Sequence, residues 1–147
     1  AEEHSCPVII WSHGLGGSRD GAGFISRFLA GQGYVLIHVQ HAGTDSGLWE
    51  GKPGHPWDIM RTLTIAPEAT RARYHDIPFV LDQLPSWAAE NPAGQVAAIA
   101  VLGMSGHSFG ANTTQIMAGQ RFGRGLEGED LRETRFRAGI LYSPVPS

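Results

Sequence analysis

The chain has 147 residues, a length typical of one domain and sufficient to bury about two-thirds of the surface that the unfolded chain exposes. Hydrophobic residues make up 41% and charged residues 17%, as in an ordinary globular protein. The net charge of −3, without any basic run, argues against nucleic-acid binding, and the single cysteine, Cys6, excludes an intramolecular disulfide. We therefore expect one globular domain over residues 1–147, with no nucleic-acid partner.

The sequence also gives no support for a membrane-spanning segment or for a metal site. No apolar stretch approaches the ~20 residues of a transmembrane helix, and residues 1–4 do not begin a signal peptide. The seven histidines fall in no H-E-x-x-H or similar pattern. We predict neither a transmembrane segment nor a metal site.

The first third of the chain alternates strand and helix patterns. The apolar run Pro7 to Ser12, rich in β-branched residues, predicts a buried parallel strand. Tyr34 to Val39 predicts a second strand of the same kind. Between them lies a predicted helix with apolar side chains on one face, namely Phe24, Ile25, Phe28 and Leu29.

The segment 40–66 is irregular in pattern and contains several glycines and prolines. A loop of this length in a compact domain is usually functional or mobile. Its two tryptophans, Trp49 and Trp57, have two equally supported interpretations. Either they line a pocket for apolar substrates, or they fix the loop to the core.

The segment Pro67 to Leu84 has the periodicity of a helix, with a core-facing stripe formed by Ile77, Val80, Leu81 and Leu84. Pro78 interrupts this pattern. Either this proline kinks the helix, or it lies in the first turn of a new helix that is capped by Asp76.

The strongest local signal is the pentapeptide GHSFG, with Ser108 at its centre. The apolar run Ala98 to Met104 predicts a strand before it, and Ala111 to Arg121 predicts a helix after it. A serine on such a sharp turn occupies strained backbone space, and strand and helix pass so close that side chains two positions away would collide. Gly106 and Gly110 occupy those two positions. The pattern predicts a nucleophile elbow, and the alternative is a glycine-rich turn without chemistry.

The last part of the chain supplies a fourth strand. The charged, glycine-broken segment 120–135 predicts a solvated excursion, and Ala138 to Tyr142 predicts the strand. Strands that alternate with helices form a parallel sheet covered on both faces, with sites beyond the carboxyl ends of the strands. The residues at those ends that carry suitable chemistry are His13, His41, Ser108 and Ser143. This coincidence favours a hydrolase more than any single motif does.

The glycine-rich segment His13 to Gly17, which follows the first strand, fits neither a dinucleotide site nor a phosphate loop. Arg19 stands where the dinucleotide fingerprint requires its last glycine, and the second strand ends in Gln40-His41 instead of an acidic residue. No Lys-Ser/Thr pair follows the glycines, as a phosphate loop requires. Beside a nucleophile elbow, the segment can direct backbone N–H groups at a developing oxyanion, together with the N–H of Phe109.

Four stretches of the chain, taken in order, resemble the α/β-hydrolase superfamily: PVIIWSHGLGGSRDG, GYVLIHVQHAGTDSG, YHDIPFVLDQL and VLGMSGHSFGANT. More narrowly, they resemble the predicted dienelactone hydrolases and the platelet-activating-factor acetylhydrolase group. The resemblance implies a parallel sheet of about four main strands, in the order second, first, third, fourth, with helices on both faces. It also implies that Ser108 is the nucleophile and that the N–H groups of Leu15 and Phe109 form the oxyanion hole. The enzymes that look like this cleave carboxylic esters, here of a small or lipid-like substrate, with no metal or organic cofactor.

The same resemblance indicates that part of the catalytic triad is missing. In this superfamily the nucleophile is followed along the chain by an acid and then by a histidine. After Ser108 the only aspartate is Asp130, and no histidine follows. We therefore expect this chain to be the central part of a longer hydrolase whose triad acid and histidine lie outside it.

The histidines near the predicted site are expected to play supporting roles. His107 adjoins the nucleophile, but its side chain should leave the turn in another direction, which disfavours it as the base. His13, which precedes Gly14, is expected to stabilise the oxyanion loop by hydrogen bonding. His41 lines the pocket or faces water, and His38 is expected to be a core histidine with satisfied hydrogen bonds.

Two functions of different classes follow from these residues. The first is a serine-dependent ester hydrolase, and the second is a non-catalytic α/β-hydrolase-like module used for binding. In either case, a sheet that ends at the fourth strand leaves unpaired edges. We therefore predict self-association of the chain through these edges.

Overall fold

The computed structural model describes residues 3–121 and 128–145. At its centre is a parallel sheet of four strands in the order β2-β1-β3-β4, which confirms the predicted order. Each predicted strand is present, and the third continues past its apolar run as far as the residue before Ser108. The strands are β1 (Cys6–Ser12), β2 (Val35–Val39), β3 (Ala97–His107) and β4 (Phe136–Tyr142).

Helices lie on both faces of this sheet, as expected for an α/β fold. Among the described residues the α-helices are α1 (Gly23–Gly31), α2 (Pro56–Thr62), α3 (Pro67–Glu90) and α4 (Phe109–Met117). Helices α3 and α4 cover the face that carries Val8 and Ile10, where the apolar core lies. Helix α1 lies on the opposite face, because Ser26 hydrogen-bonds His38, which is paired with Trp11 across the sheet.

Helix α3 carries the predicted core-facing stripe, with Ile77, Leu81 and Leu84 buried and Val80 partly buried. The helix continues through both Pro78 and Pro85. The predicted alternative of a new helix capped by Asp76 is therefore wrong. The Asp76 carboxylate instead accepts a hydrogen bond from buried His41.

Helix α1 is covered on only part of its apolar face. Phe24 and Phe28 are 72% and 67% exposed, whereas Ile25 and Leu29 on the same apolar face are half-buried. Helical periodicity identifies which side chains share a face, but it does not show whether another element covers that face.

The segment 40–66 is less irregular than its composition suggests. It contains a 3₁₀ turn (Ser46–Leu48) and helix α2. Helix α2 has Pro56 at its first position, and the ring nitrogen of His55 accepts a hydrogen bond from the N–H of Trp57. A helix this short has too few turns to show a clear apolar period, which is why the sequence pattern missed it.

In the charged segment before β4, which was predicted to be a solvated excursion, residues 122–127 lie outside the described residues. At its end, Arg135 donates hydrogen bonds to Asp82 on α3 and to Glu133. Within the described ranges, no helix is long and apolar enough to cross a membrane.

Candidate active site

Ser108 forms the whole connection between β3 and α4. Its φ of 55° and ψ of −113° lie outside the regions that ordinary residues occupy, as predicted for an elbow. Its backbone N–H donates to the carbonyl of Tyr142 on β4 at 2.9 Å. A non-glycine residue held in such a conformation costs on the order of 1–3 kcal/mol, so the surrounding structure must impose it.

The glycines of the pentapeptide explain how strand and helix come this close. A Cβ on Gly110 would lie 1.8 Å from the carbonyl oxygen of Ser12, and a Cβ on Gly106 would lie 2.3 Å from the carbonyl oxygen of Gly110. Neither neighbour can move away easily, because both are backbone atoms. The collisions predicted from the sequence are confirmed, and they involve β1 as well as α4.

A cleft of about 990 Å³ opens beside this turn. Half-buried Ser108 lines it, together with Gly14 and Leu15 of the glycine-rich loop that follows β1. The loop approaches the serine directly, because a Cβ on Gly14 would lie 3.5 Å from Cβ of Ser108. Most of the remaining wall is apolar, including Trp11, Ile25, Trp49, Trp57 and Met60.

Backbone hydrogen bonds hold part of the oxyanion loop, which is defined here as His13 to Gly17. The N–H of Gly16 donates to Thr44, and the carbonyl of Gly17 accepts from Ser46. The N–H of Gly17 donates back to the carbonyl of Gly14. These bonds leave the loop little freedom to rearrange.

The N–H of Leu15 is the exception, because it has no hydrogen-bond partner among the described residues. The N–H of Phe109 likewise has none within those ranges, as expected for the first residue of a helix. Leu15 is exposed and lines the cleft, and Phe109 is half-buried. Two unpaired donors on the two segments that meet at Ser108 therefore form an arrangement suited to an anionic oxygen.

Both tryptophans of segment 40–66 lie at a cleft, and that this cleft takes apolar substrates stays a prediction. The indole N–H of Trp49 donates to the carbonyl of Gly16 at 2.7 Å, so this residue fixes the loop. Trp49 and exposed Trp57 also line the cleft.

A chain of hydrogen bonds runs from Asp76 on α3 to the oxyanion loop. Fully buried His41 donates from Nδ1 to Asp76 at 2.8 Å, which leaves its Nε2 to accept from Ser12, also at 2.8 Å. The backbone N–H of His41 donates to Nε2 of His13 at 3.0 Å. His13 therefore carries its proton on Nδ1 and donates it to the carbonyl of Gly14 at 2.7 Å. The predicted hydrogen bond from His13 to the loop is present.

Burial keeps His13 and His41 neutral at pH 7. Loss of solvation lowers the pKa of His13 to about 4, although its hydrogen bond to Gly14 acts in the opposite direction. Burial also lowers the pKa of His41, although its hydrogen bond to Asp76 acts in the opposite direction. A neutral imidazole can donate from one nitrogen and accept at the other, as both rings do here. The prediction that His41 lines the pocket or faces water is wrong, because it is fully buried and does not reach the cleft.

Arg73, on α3, is the centre of the buried polar region beneath the loop. Its side chain is fully buried and donates to Thr44, Ser12 and Thr113 at 3.0, 2.9 and 3.2 Å. It also donates to the carbonyl oxygen of His13. Burial lowers its pKa to about 9, so the guanidinium remains charged at neutral pH.

Sequence reasoning did not identify Arg73, Asp76 or Thr44 as parts of the site. A signal for Arg73 was available, because it lies four residues before Ile77 and shares the core-facing stripe of α3. A charged residue on such a stripe is rarely buried unless it is fully hydrogen-bonded. No comparable signal marks Thr44, which comes from a different loop.

The remaining histidines do not supply a base for Ser108. None of the seven histidine side chains, all of which are among the described residues, hydrogen-bonds the serine hydroxyl. His107 is exposed at the cleft, beside Gly14. His38 is half-buried, bonds Ser26 through Nε2 and has a backbone hydrogen bond with Arg19 that opposes the lowering of its pKa by burial. Within residues 3–121 and 128–145, no three His, Cys, Asp or Glu side chains are grouped as in a metal site.

Comparison with known proteins extends the sequence resemblance. Residues 1–48 match the family described as platelet-activating factor acetylhydrolase, isoform II. The structure is similar to a ferulic acid esterase from Streptomyces cinnamoneus, with a TM-score of 0.54 and 25% sequence identity, over 76% of this chain. The chain spans 32% of the length of that esterase. No curated protein matches the sequence.

These two findings agree with the motifs, since one concerns the strand and oxyanion loop at the start of the chain and the other concerns the sheet as a whole. The chain is similar to esterase-like α/β-hydrolases of the platelet-activating-factor acetylhydrolase type.

Proposed function

We propose that the protein is a serine-dependent carboxylic ester hydrolase with Ser108 as its nucleophile. The Ser108 hydroxyl attacks the ester carbonyl carbon, and the carbonyl oxygen becomes an oxyanion that accepts hydrogen bonds from the N–H groups of Leu15 and Phe109. Collapse of this intermediate expels the alcohol and leaves an acyl-serine, which water then hydrolyses.

One observation carries this proposal. The strained Ser108 lines the cleft together with Leu15, and the backbone N–H groups of Leu15 and of Phe109, the residue after the serine, are unpaired among the described residues. Strain at a single residue is kept only where the surrounding structure enforces it, and such positions cluster at active sites. Any helix leaves its first N–H groups unpaired, so the N–H of Leu15, which belongs to a loop, is the more informative of the two donors.

The apolar wall of the cleft supports a small ester or a lipid-like ester as substrate. The names of the matching family and of the similar structure refer to ester-cleaving proteins, which supports the same reaction class. No step of the proposed reaction requires a metal or an organic cofactor.

Proton transfer requires groups beyond those described. A serine hydroxyl is a weak nucleophile unless a base takes its proton. Since none of the histidines bonds Ser108, we propose that the triad acid and histidine lie outside these 147 residues.

The same observation favours a second candidate, a hydrolase-like module that binds ligands without turnover. A fluorophosphonate probe separates the two, because it labels an activated serine and ignores an inert one. We expect labelling at Ser108 in a longer version of the protein that contains the acid and histidine, and none in its Ser108→Ala variant. If the longer protein is not labelled at Ser108, the binding module is the correct function.

A further inference from the structure

One buried side chain contacts both segments that carry the unpaired N–H groups. On the side of the oxyanion loop, Nη2 of Arg73 donates to the carbonyl of His13 and, at 3.4 Å, to the carbonyl of Gly14. On the side of α4, the guanidinium lies 4.4 Å from the ring centre of Phe109, and Nη1 donates to Thr113. A single guanidinium thus connects the two halves of the proposed oxyanion hole.

The direction of the Gly14 carbonyl determines where the N–H of Leu15 points. The two groups belong to the same peptide unit, and in a planar trans peptide the C=O and the N–H point in opposite directions. The carbonyl of Gly14 is directed inward, because it accepts from His13, Gly17 and Arg73. The N–H of Leu15 must therefore point outward, toward the cleft that Leu15 and Ser108 share.

Arginine suits this position better than any other residue. Its planar fork directs donors to several acceptors at fixed angles, and here all the acceptors are neutral oxygens on the ends of β1, on α4 and on the loop after β2. Within residues 3–121 and 128–145 no carboxylate hydrogen-bonds the guanidinium, but the carboxylates of Asp76 and Asp45 act on it through space.

We propose that Arg73 is the positioning residue of the oxyanion hole. Through the carbonyls of His13 and Gly14 it fixes the Gly14–Leu15 peptide, and through Phe109 and Thr113 it holds α4 in register with that peptide. Its catalytic consequence rests on the proposed function, whereas its effect on the loop does not.

The direct test is ¹⁵N relaxation of the 147-residue chain, which measures order at the amide of Leu15. In the unsubstituted protein we expect an order parameter of about 0.85, the value of a rigid backbone. In Arg73→Gln it should fall below about 0.6 at Leu15, while β1 remains ordered. Thr113→Val is the matched control, because it removes one bond of Arg73 on the α4 side and leaves the loop carbonyls bonded. That control should lower stability without changing the order of Leu15.

If Arg73→Gln does not fold, the order of Leu15 is measured in Arg73→Lys instead. One ammonium group keeps the charge but cannot reach the loop carbonyls and the α4 hydroxyls together, so Leu15 should again lose order. Unchanged order at Leu15 in a folded Arg73 variant, or equal loss in Thr113→Val, would overturn the proposal.

The catalytic consequence is tested separately, in the longer version of the protein. Loss of one oxyanion donor lowers kcat by about 10²–10³-fold in enzymes of this chemistry. Arg73→Gln should lower kcat for a short p-nitrophenyl ester by a similar factor and leave KM unchanged. If Leu15 loses order but kcat does not fall, the positioning role stands and the assignment of Leu15 to the oxyanion hole is wrong. If the longer protein has no turnover at all, the proposed function fails and the relaxation result still decides the positioning role.

Discussion

The two sides of Ser108 differ sharply in how completely they are built. On the side of β1 and β2, the oxyanion loop rests on buried polar groups that bond one another from Asp76 through His41 to Ser12 and on to Arg73. On the side of β4, the serine has only a backbone bond to Tyr142. The exposed side chain of His107 there has no hydrogen-bond partner among the described residues.

This difference separates two tasks that ester hydrolysis requires. Stabilising a negative oxygen needs fixed dipoles, and every fixed dipole of the proposed hole comes from the first 117 residues. Activating the serine needs a base that can gain and lose a proton near neutral pH. The buried histidines are unsuited to that task, since burial lowers the pKa of both His13 and His41 and neither bonds Ser108.

The largest expected effect tests this separation at Ser108 itself. In a longer version of the protein that supplies the acid and histidine, Ser108→Ala should lower kcat for p-nitrophenyl esters by about 10⁶-fold, because nucleophile and base act as a unit. In the 147-residue chain, hydrolysis should be barely above background, and Ser108→Ala should leave it largely unchanged. Strong, Ser108-dependent hydrolysis by the short chain would show that His107 or another internal histidine is the base.

The next largest effect concerns the contact that joins α4 to β1. Gly110→Ala places a methyl group 1.8 Å from the carbonyl oxygen of Ser12, so the helix must move away from the strand. We expect the free energy of unfolding, measured by urea titration, to fall by about 3 kcal/mol or more. Gly31→Ala is the matched control, because its Cβ meets nothing within 4 Å, and it should change stability by no more than about 1 kcal/mol. A folded Gly110→Ala protein of unchanged stability would contradict the elbow geometry.

A pH titration tests whether the oxyanion side depends on a neutral His13. The unfolded chain binds a proton on this ring below pH 6.5, whereas the folded protein does so only below a pKa of about 4. Unfolding therefore takes up a proton between these values, and stability falls as the pH decreases from 6.5 to 4. The loss amounts to about 3 kcal/mol for His13, and His41 adds to it in the same direction.

His13→Asn is the control for this titration, because its amide can still donate to the carbonyl of Gly14 but does not titrate. Denaturation measured at several pH values should show a flatter dependence in this variant. An equally steep dependence in both proteins would assign the effect to other groups.

The parts of this structure that sequence predicted are those determined by local patterns. The elbow follows from Gly106 and Gly110 at fixed distances from Ser108, and the sheet follows from four apolar runs separated by helical segments. The oxyanion loop could be located because its glycines follow directly on a strand.

The parts that sequence missed depend on contacts between distant segments. Arg73 meets Thr44 and Ser12 only after α3 has packed on the sheet, and no spacing in the chain encodes that meeting. The same reason explains why periodicity identified the apolar face of α1 but could not show that Phe28 on that face is exposed. The burial of His41 was not predicted, because its partner Asp76 was considered only as a possible helix cap.

The smallest expected effect concerns the other side of Ser108, where β4 forms an edge of the described sheet. Ile140 and Leu141 on this strand are 49% and 38% exposed, and an apolar edge of this kind favours pairing with a second copy. We predict weak self-association, seen as a concentration-dependent mass in sedimentation velocity. Ile140→Lys should raise the dissociation constant by about tenfold, or ~1.4 kcal/mol, because a charge on an edge strand opposes pairing. Phe28→Lys, at a more exposed apolar position on α1, should leave association unchanged. A monomer at every concentration would show that β4 does not pair between chains.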